Sequence, residues 1–179
     1  MLSSTEQAIL LKIARAAIES SVLGRPIPQI EAETSGLSSG SGAFVSIHKN
    51  GRLRGCIGSF ASPKPLYKTV FEMAVAAATQ DPRFKPLTED ELSLIKLEIS
   101  VLSPLKTIKE ISEIEIGRHG LYLVKGAKKG VLLPQVAIEN DLDAQEFIEQ
   151  TCLKAGLDPD EWKKGATISI FEAEIIKEG

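Results

Sequence analysis

Asn50-Gly51 stands between two runs rich in apolar residues, Ala43–Lys49 and Arg52–Ser59. Asn-Gly in that setting is the strongest local signal for a two-residue β-hairpin, because a type I′ turn needs positive φ at both central residues. The turn predicts Lys49 opposite Arg52, Ile47 opposite Arg54 and Val45 opposite Cys56. Side chains alternate across a strand. Arg54 and Cys56 are therefore expected on one face with Val45 and Ile47, and Phe44, His48, Leu53 and Ile57 on the other.

The second arm is unusual. Arg52-Leu53-Arg54-Gly55-Cys56-Ile57-Gly58 places a cysteine between two glycines, with arginines just before it. Glycine in a strand costs backbone entropy and packs nothing, so it marks a bulge or a close approach to the backbone. A guanidinium near a thiol favours the thiolate. The competing reading is a small buried hydrophobe, the commoner fate of a free cysteine.

The rest of the chain supplies a scaffold. Ser3-x-x-Glu6 is a capping box ahead of the stripe Leu10, Ala14, Ala17 and Ile18, which Gly24 and Pro26 close. A polar, glycine-rich stretch, residues 31–42, leads into the hairpin and could fold over the Cys56 face as a flap. Pro65 opens a helix from Leu66 to Thr79, stopped by Asp81-Pro82. Asp81 is expected to cap that turn or brace Arg83. Thr88-x-x-Glu91 starts a short helical turn. Ile95–Ser103 alternates as a strand, with Lys96, Glu98 and Ser100 on the face away from the core. Leu121–Val124 and Val131–Leu133 read as a second hairpin, with Pro134 ending its last strand. Asp143-x-x-Glu146 caps a helix carrying Phe147, Ile148, Thr151 and Cys152, and residues 167–176 read as one final strand. This order, without a regular β-α-β alternation, predicts an α+β fold: an antiparallel-rich sheet, helices packed mainly on one side, and a smaller lobe.

At 179 residues the chain suits a single domain with a small sub-lobe. Its net charge of -3 and pI near 5.5 disfavour nucleic acid as a partner. Two cysteines, Cys56 and Cys152, make no disulfide framework and suit a reducing, cytoplasmic setting. No basic-then-apolar leader and no run of about 18 apolar residues occurs, so no membrane is expected. Two histidines without a cysteine or carboxylate cluster at ligand spacing make no metal site. No glycine-rich phosphate motif is present, and no cofactor is expected.

Several separated stretches also agree with one family. Gly51-Arg52-Leu53-Arg54-Gly55-Cys56-Ile57-Gly58 resembles the signature block of the AMMECR1 family. Ala74 to Asp81 with Arg83-Phe84 and Pro86, Glu98 to Leu102, His119-Gly120-Leu121, Leu132 to Ala137, and Phe147 to Trp162 continue the resemblance in order over nearly the whole chain. Ser59 departs from it, where threonine is common. The resemblance implies an AMMECR1-like domain over 1–179, an α+β fold with a smaller lobe, no established reaction, and a modification pathway shared with Memo-like and radical-SAM proteins. It raises Arg54, Cys56, Asp81, Arg83, Glu98, His119 and Gln135 to site candidates.

Two functions follow as expectations. One is a thiol-centred enzyme: Cys56 as nucleophile or group acceptor, His119 or Glu98 moving protons, and Arg54, Arg83, Asp81 and Gln135 binding a small molecule or peptide. The other is a non-catalytic module that docks a peptide or protein on the Arg54/Cys56 face.

Overall fold

In the computed structural model, which describes residues 2–26 and 34–179, the chain divides into two compact units. The first takes the residues up to Leu102 together with Glu174–Gly179, and the second Ser103–Ala173. The mixed, antiparallel-rich α+β architecture is the one the element order predicts.

In the first unit, strands β1 (Ala43–Lys49), β2 (Arg52–Ser59), β3 (Ile95–Leu102) and β8 (Ala173–Lys177) form a sheet of order β2-β1-β3-β8. Val45 and Ile47 of β1 and Leu97 and Ile99 of β3 are buried on one face. Helices α1 (Ser4–Leu23) and α3 (Leu66–Thr79) join them in one core through Leu10, Ile13, Ile18, Leu66, Val70 and Ala74. Each such valine, leucine or isoleucine contributes about 1.5–3 kcal/mol. An exposed ion pair contributes at most about 1 kcal/mol. Apolar burial therefore holds this unit together, and its charged pairs position groups. Both helices obey their signals: the Ser3/Glu6 capping box forms, and Gly24 ends α1 in the left-handed region at φ 62°.

The short helix α2 (Ser35–Ser38) corrects the expected flap. Thr34 caps it, and Leu37 is buried in the core shared with α1 and α3. Thr34 Oγ1 also donates to Glu6 at 2.7 Å. The described part of the segment thus belongs to the helical layer, because a fully apolar leucine gains more there than a loose loop over the sheet could. The expected flap's first residues, 31–33, lie outside the described residues.

In the second unit, β4 (Lys106–Ile108), β5 (Gly120–Lys125), β6 (Lys128–Leu132) and β7 (Thr167–Phe171) form a sheet of order β4-β7-β5-β6, antiparallel throughout. Helix α5 (Ala144–Lys154), with its Asp143/Glu146 capping box, buries Phe147 and Ile148 against Leu121 and Ile170. A further helix, α4 (Pro134–Glu139), begins where the second hairpin was expected simply to stop. A proline ends a strand and opens a helix equally well. The single final strand expected over 167–176 is two, β7 and β8, broken at Glu172 and belonging to different sheets.

Gly55 has a packing reason. A Cβ there would lie 2.3 Å from the carbonyl oxygen of Ala77, so α3 approaches β2 only because the side chain is absent. Gly55→Ala is expected to destabilise the fold by about 1–3 kcal/mol, as overpacking does. Chemical denaturation checks this: a midpoint equal to wild type would show that α3 yields without cost.

Candidate functional site

The hairpin turn forms as predicted, with Asn50 at φ 51° and Gly51 at φ 74°. Its register does not continue as predicted. Lys49 faces Arg52 and His48 faces Leu53, but Ile47 faces Gly55 and Ser46 faces Cys56, with the shift falling between Ile47 and His48. Arg54 is the extra residue of a β-bulge, which re-aims side chains beyond it. Cys56 therefore leaves the expected face of Val45 and Ile47 and stands with Phe44 and Ser46. Ile57 takes the inner position, opposite Val45.

Arg54 turns to a different partner. Its Nε and Nη2 donate to the two carboxylate oxygens of Glu91 at 3.0 and 2.8 Å, and its Nη1 donates to the Lys85 carbonyl at 2.9 Å. Lys49 Nζ donates to the same carboxylate at 2.8 Å, and the Thr88 amide at 3.1 Å. Glu91 is 7 % exposed. Its hydrogen bond to Arg54, aided by Lys49 and Thr88, holds its carboxyl far below the ordinary value despite burial. Arg54 thus fastens the loop after α3 to the bulge, while Glu98 pairs with Lys177 at 3.2 Å.

Cys56 is gripped from the sheet edge. β2 is an outer strand, and Cys56 directs its N–H and C=O away from β1. Asp81 Oδ2 accepts the N–H at 2.8 Å, and Arg83 Nη2 donates to the carbonyl at 3.3 Å. The two side chains are themselves paired, Nε to Oδ1 at 3.0 Å and Nη2 to Oδ2 at 2.8 Å. Asp81 is 4 % exposed, and its carboxyl lies well below the usual range, chiefly through Arg83 and also through the Cys56 amide. Together they take the place of a neighbouring strand at one residue. This is the brace the sequence suggested, with the backbone of Cys56 as a third member.

Cys56 as a residue is half-buried. Ser46 Oγ donates to Cys56 Sγ at 3.1 Å. Across β1, Ser46 pairs with Glu98, so Cys56, Ser46 and Glu98 form one row over three strands. At about 4.8 Å per strand spacing, thiol and carboxylate stand roughly 10 Å apart at their backbones, with the serine hydroxyl between. Sequence reasoning missed Ser46, which only the bulged register brings to the cysteine. It missed Glu91 too, whose capping box with Thr88 gave no hint of a second role.

The remaining candidates lie in the second unit. His119 is 7 % exposed; its Nδ1 accepts the Glu115 amide at 3.0 Å and its own amide donates to the Glu115 carbonyl at 2.9 Å. One ring nitrogen therefore locks a tight turn. Gln135 is exposed near the start of α4. Cys152 is fully buried in α5, and burial pushes its thiol up. Among the described residues no cluster of His, Cys, Asp and Glu could hold a metal ion, and no helix is long and apolar enough to cross a membrane.

Removing the Glu91 charge tests the bulge anchor. Glu91→Gln is expected to cost about 3–5 kcal/mol near neutral pH, the effect of breaking a buried pair. A carboxyl depressed in the folded state stabilises above its unfolded value and ceases to as pH falls. The wild-type advantage should therefore be complete above the ordinary value of 4.5 and shrink progressively below it. Denaturation curves across acidic pH measure this, and an advantage that grows with acid would contradict it.

A family profile described as AMMECR1 matches residues 11–176. The chain is 42 % identical over 187 aligned residues to a protein of Methanosarcina barkeri, covering 99 % of this chain and 93 % of that one. It is 39 % identical to a protein of Methanocaldococcus jannaschii, covering 99 % and 92 %. The crystal structure of an uncharacterized protein from Pyrococcus horikoshii is similar at a TM-score of 0.86 and 34 % identity, covering 99 % of this chain and 93 % of that one.

Proposed function

This chain belongs to the AMMECR1 family, and we propose that its residues 1–179 act as one domain whose working group is the Cys56 thiol. The observation that carries the reading is the serine hydroxyl donating to the sulfur of a half-buried cysteine whose backbone N–H and C=O are held by Asp81 and Arg83. A hydroxyl donating to the sulfur orients it, and only the thiolate is nucleophilic. Because the Ser46 hydroxyl donates to Sγ, the thiol proton passes to water and the hydroxyl stays as donor to the sulfur. The thiolate then attacks an electrophilic carbon: the S–C bond forms as the bond from that carbon to its leaving group breaks, and the leaving group takes up a proton from water. Arg83, 56 % exposed along its side chain and bonded to the Cys56 carbonyl, offers a cation for an anionic substrate group. Arg54 and Asp81 support the site by holding its backbone. His119 and Gln135 have no part in this step. The setting is the modification pathway implied by the family resemblance, with a Memo-like and a radical-SAM protein as companions.

A second reading is a non-catalytic module that docks a peptide or protein on the Arg54/Cys56 face. Gly55 and Gly58 are explained by the chain's own packing, against Ala77 and the Phe44 ring, and so do not in themselves call for a substrate.

Alkylation separates the two. In the folded protein iodoacetamide is expected to modify Cys56 at least about tenfold faster than Cys152, and Ser46→Ala should slow it severalfold as the thiolate loses its donor. A Cys56 rate no greater than that of Cys152, or one indifferent to Ser46→Ala, would end the thiol reading.

A further inference from the structure

The hairpin tip carries a feature that the thiol does not use. Lys49, Asn50, Arg52, Leu53 and Arg54 line an open cleft of about 420 Å³. Three of the five are cations, and no acid is among them. Glu91 balances Lys49 and Arg54 from one side. Arg52 is exposed, and its side chain has no hydrogen-bonding or ionic partner among the described residues. Leu53, beside it, is 41 % exposed, a large apolar side chain left in water among positive charges.

The backbone adds direction. Lys49 and Arg52 flank the two-residue turn and form its hydrogen-bonded pair, so the next pair, His48 and Leu53, is non-hydrogen-bonded. Leu53 therefore turns its N–H and C=O away from β1, toward the outer edge of the sheet. At Cys56 that edge is closed by Asp81 and Arg83. At Leu53 no side chain of the described residues closes it. An unpaired edge group next to an exposed apolar side chain is a template for another extended chain.

We propose that this cleft docks an extended acidic segment of a partner protein. Its carboxylates meet Arg52 and the exposed part of Lys49, its backbone pairs with the N–H and C=O of Leu53, and an apolar side chain covers the Leu53 methyl groups. The Arg54 bulge bounds the segment, because it breaks the ladder before Cys56. A small anion alone would satisfy Arg52 but leave Leu53 and its backbone unpartnered, so charge complementarity and the open edge together favour a peptide. The proposal does not rest on the chemistry of Cys56.

The probe is a fluorescein-labelled peptide alternating glutamate and valine, with a glutamine-valine peptide as its neutral control. Anisotropy is expected to show binding of the acidic peptide only, weakening as salt rises. Arg52→Glu should weaken it by about tenfold or more. Lys12→Glu, on the solvent side of α1, should leave it unchanged. Amide shifts in labelled protein should cluster at Lys49–Arg54. Binding unaffected by Arg52→Glu, equal binding of the neutral peptide, displacement by inorganic phosphate at matched ionic strength, or no binding at all would each overturn the proposal. Alkylation of Cys56 in the Arg52→Glu variant should match wild type, which separates a failure here from a failure of the thiol reading.

Discussion

The Glu91 carboxylate gathers Arg54, Lys49 and the Thr88 amide, and the geometry around Cys56 depends on that gathering. A charge this buried must be paired and hydrogen-bonded to persist. Glu91 is, and the bidentate geometry with Arg54 leaves the guanidinium little freedom. Because Arg54 must reach Glu91, it takes the extra position in β2 and every later residue of the strand changes face. The cysteine moves outward to a serine and the isoleucine moves inward to the core. A salt bridge on one side of the sheet thus decides which residue meets solvent on the other.

The Asp81–Arg83 pair makes the matching contribution at the edge. An outer strand leaves alternate N–H and C=O groups unpaired, and such edges need covering. Here one carboxylate and one guanidinium cover a single residue, and that residue is the cysteine. The loop that supplies them follows α3, and the loop that Arg54 fastens is its continuation. Bulge and clamp are therefore two attachments of one segment, residues 81–91, to one strand. Moving that segment would alter the outlook of the sulfur and the closure of the edge together.

Much of this fold is legible in the sequence because local signals and tertiary packing agree. The capping boxes at Ser3 and Asp143, the apolar stripe of α1, the Asn50-Gly51 turn and the alternation of β3 all state their elements without help. The bulge is silent, since its cause is a partner 37 residues away. Alternation read from the turn inevitably carried Arg54 and Cys56 to the same face. The break at Glu172 is silent for a similar reason: alternation runs on through it, while the chain passes from one sheet to the other. Asp81 was visible as a brace for Arg83, but a backbone amide leaves no mark in a sequence, so its hold on Cys56 was not.

The glycines show how a motif can be read from the wrong side. Two glycines around a cysteine suggest room kept for a visitor. In the structure one admits the carbonyl of Ala77, and the other the ring of Phe44, which packs edge-on to Phe60 at 4.8 Å. Internal packing thus requires small residues at both positions before any ligand is considered. Neither of these contacts is with the cysteine itself. The group that does meet the sulfur is the hydroxyl of Ser46, at 3.1 Å.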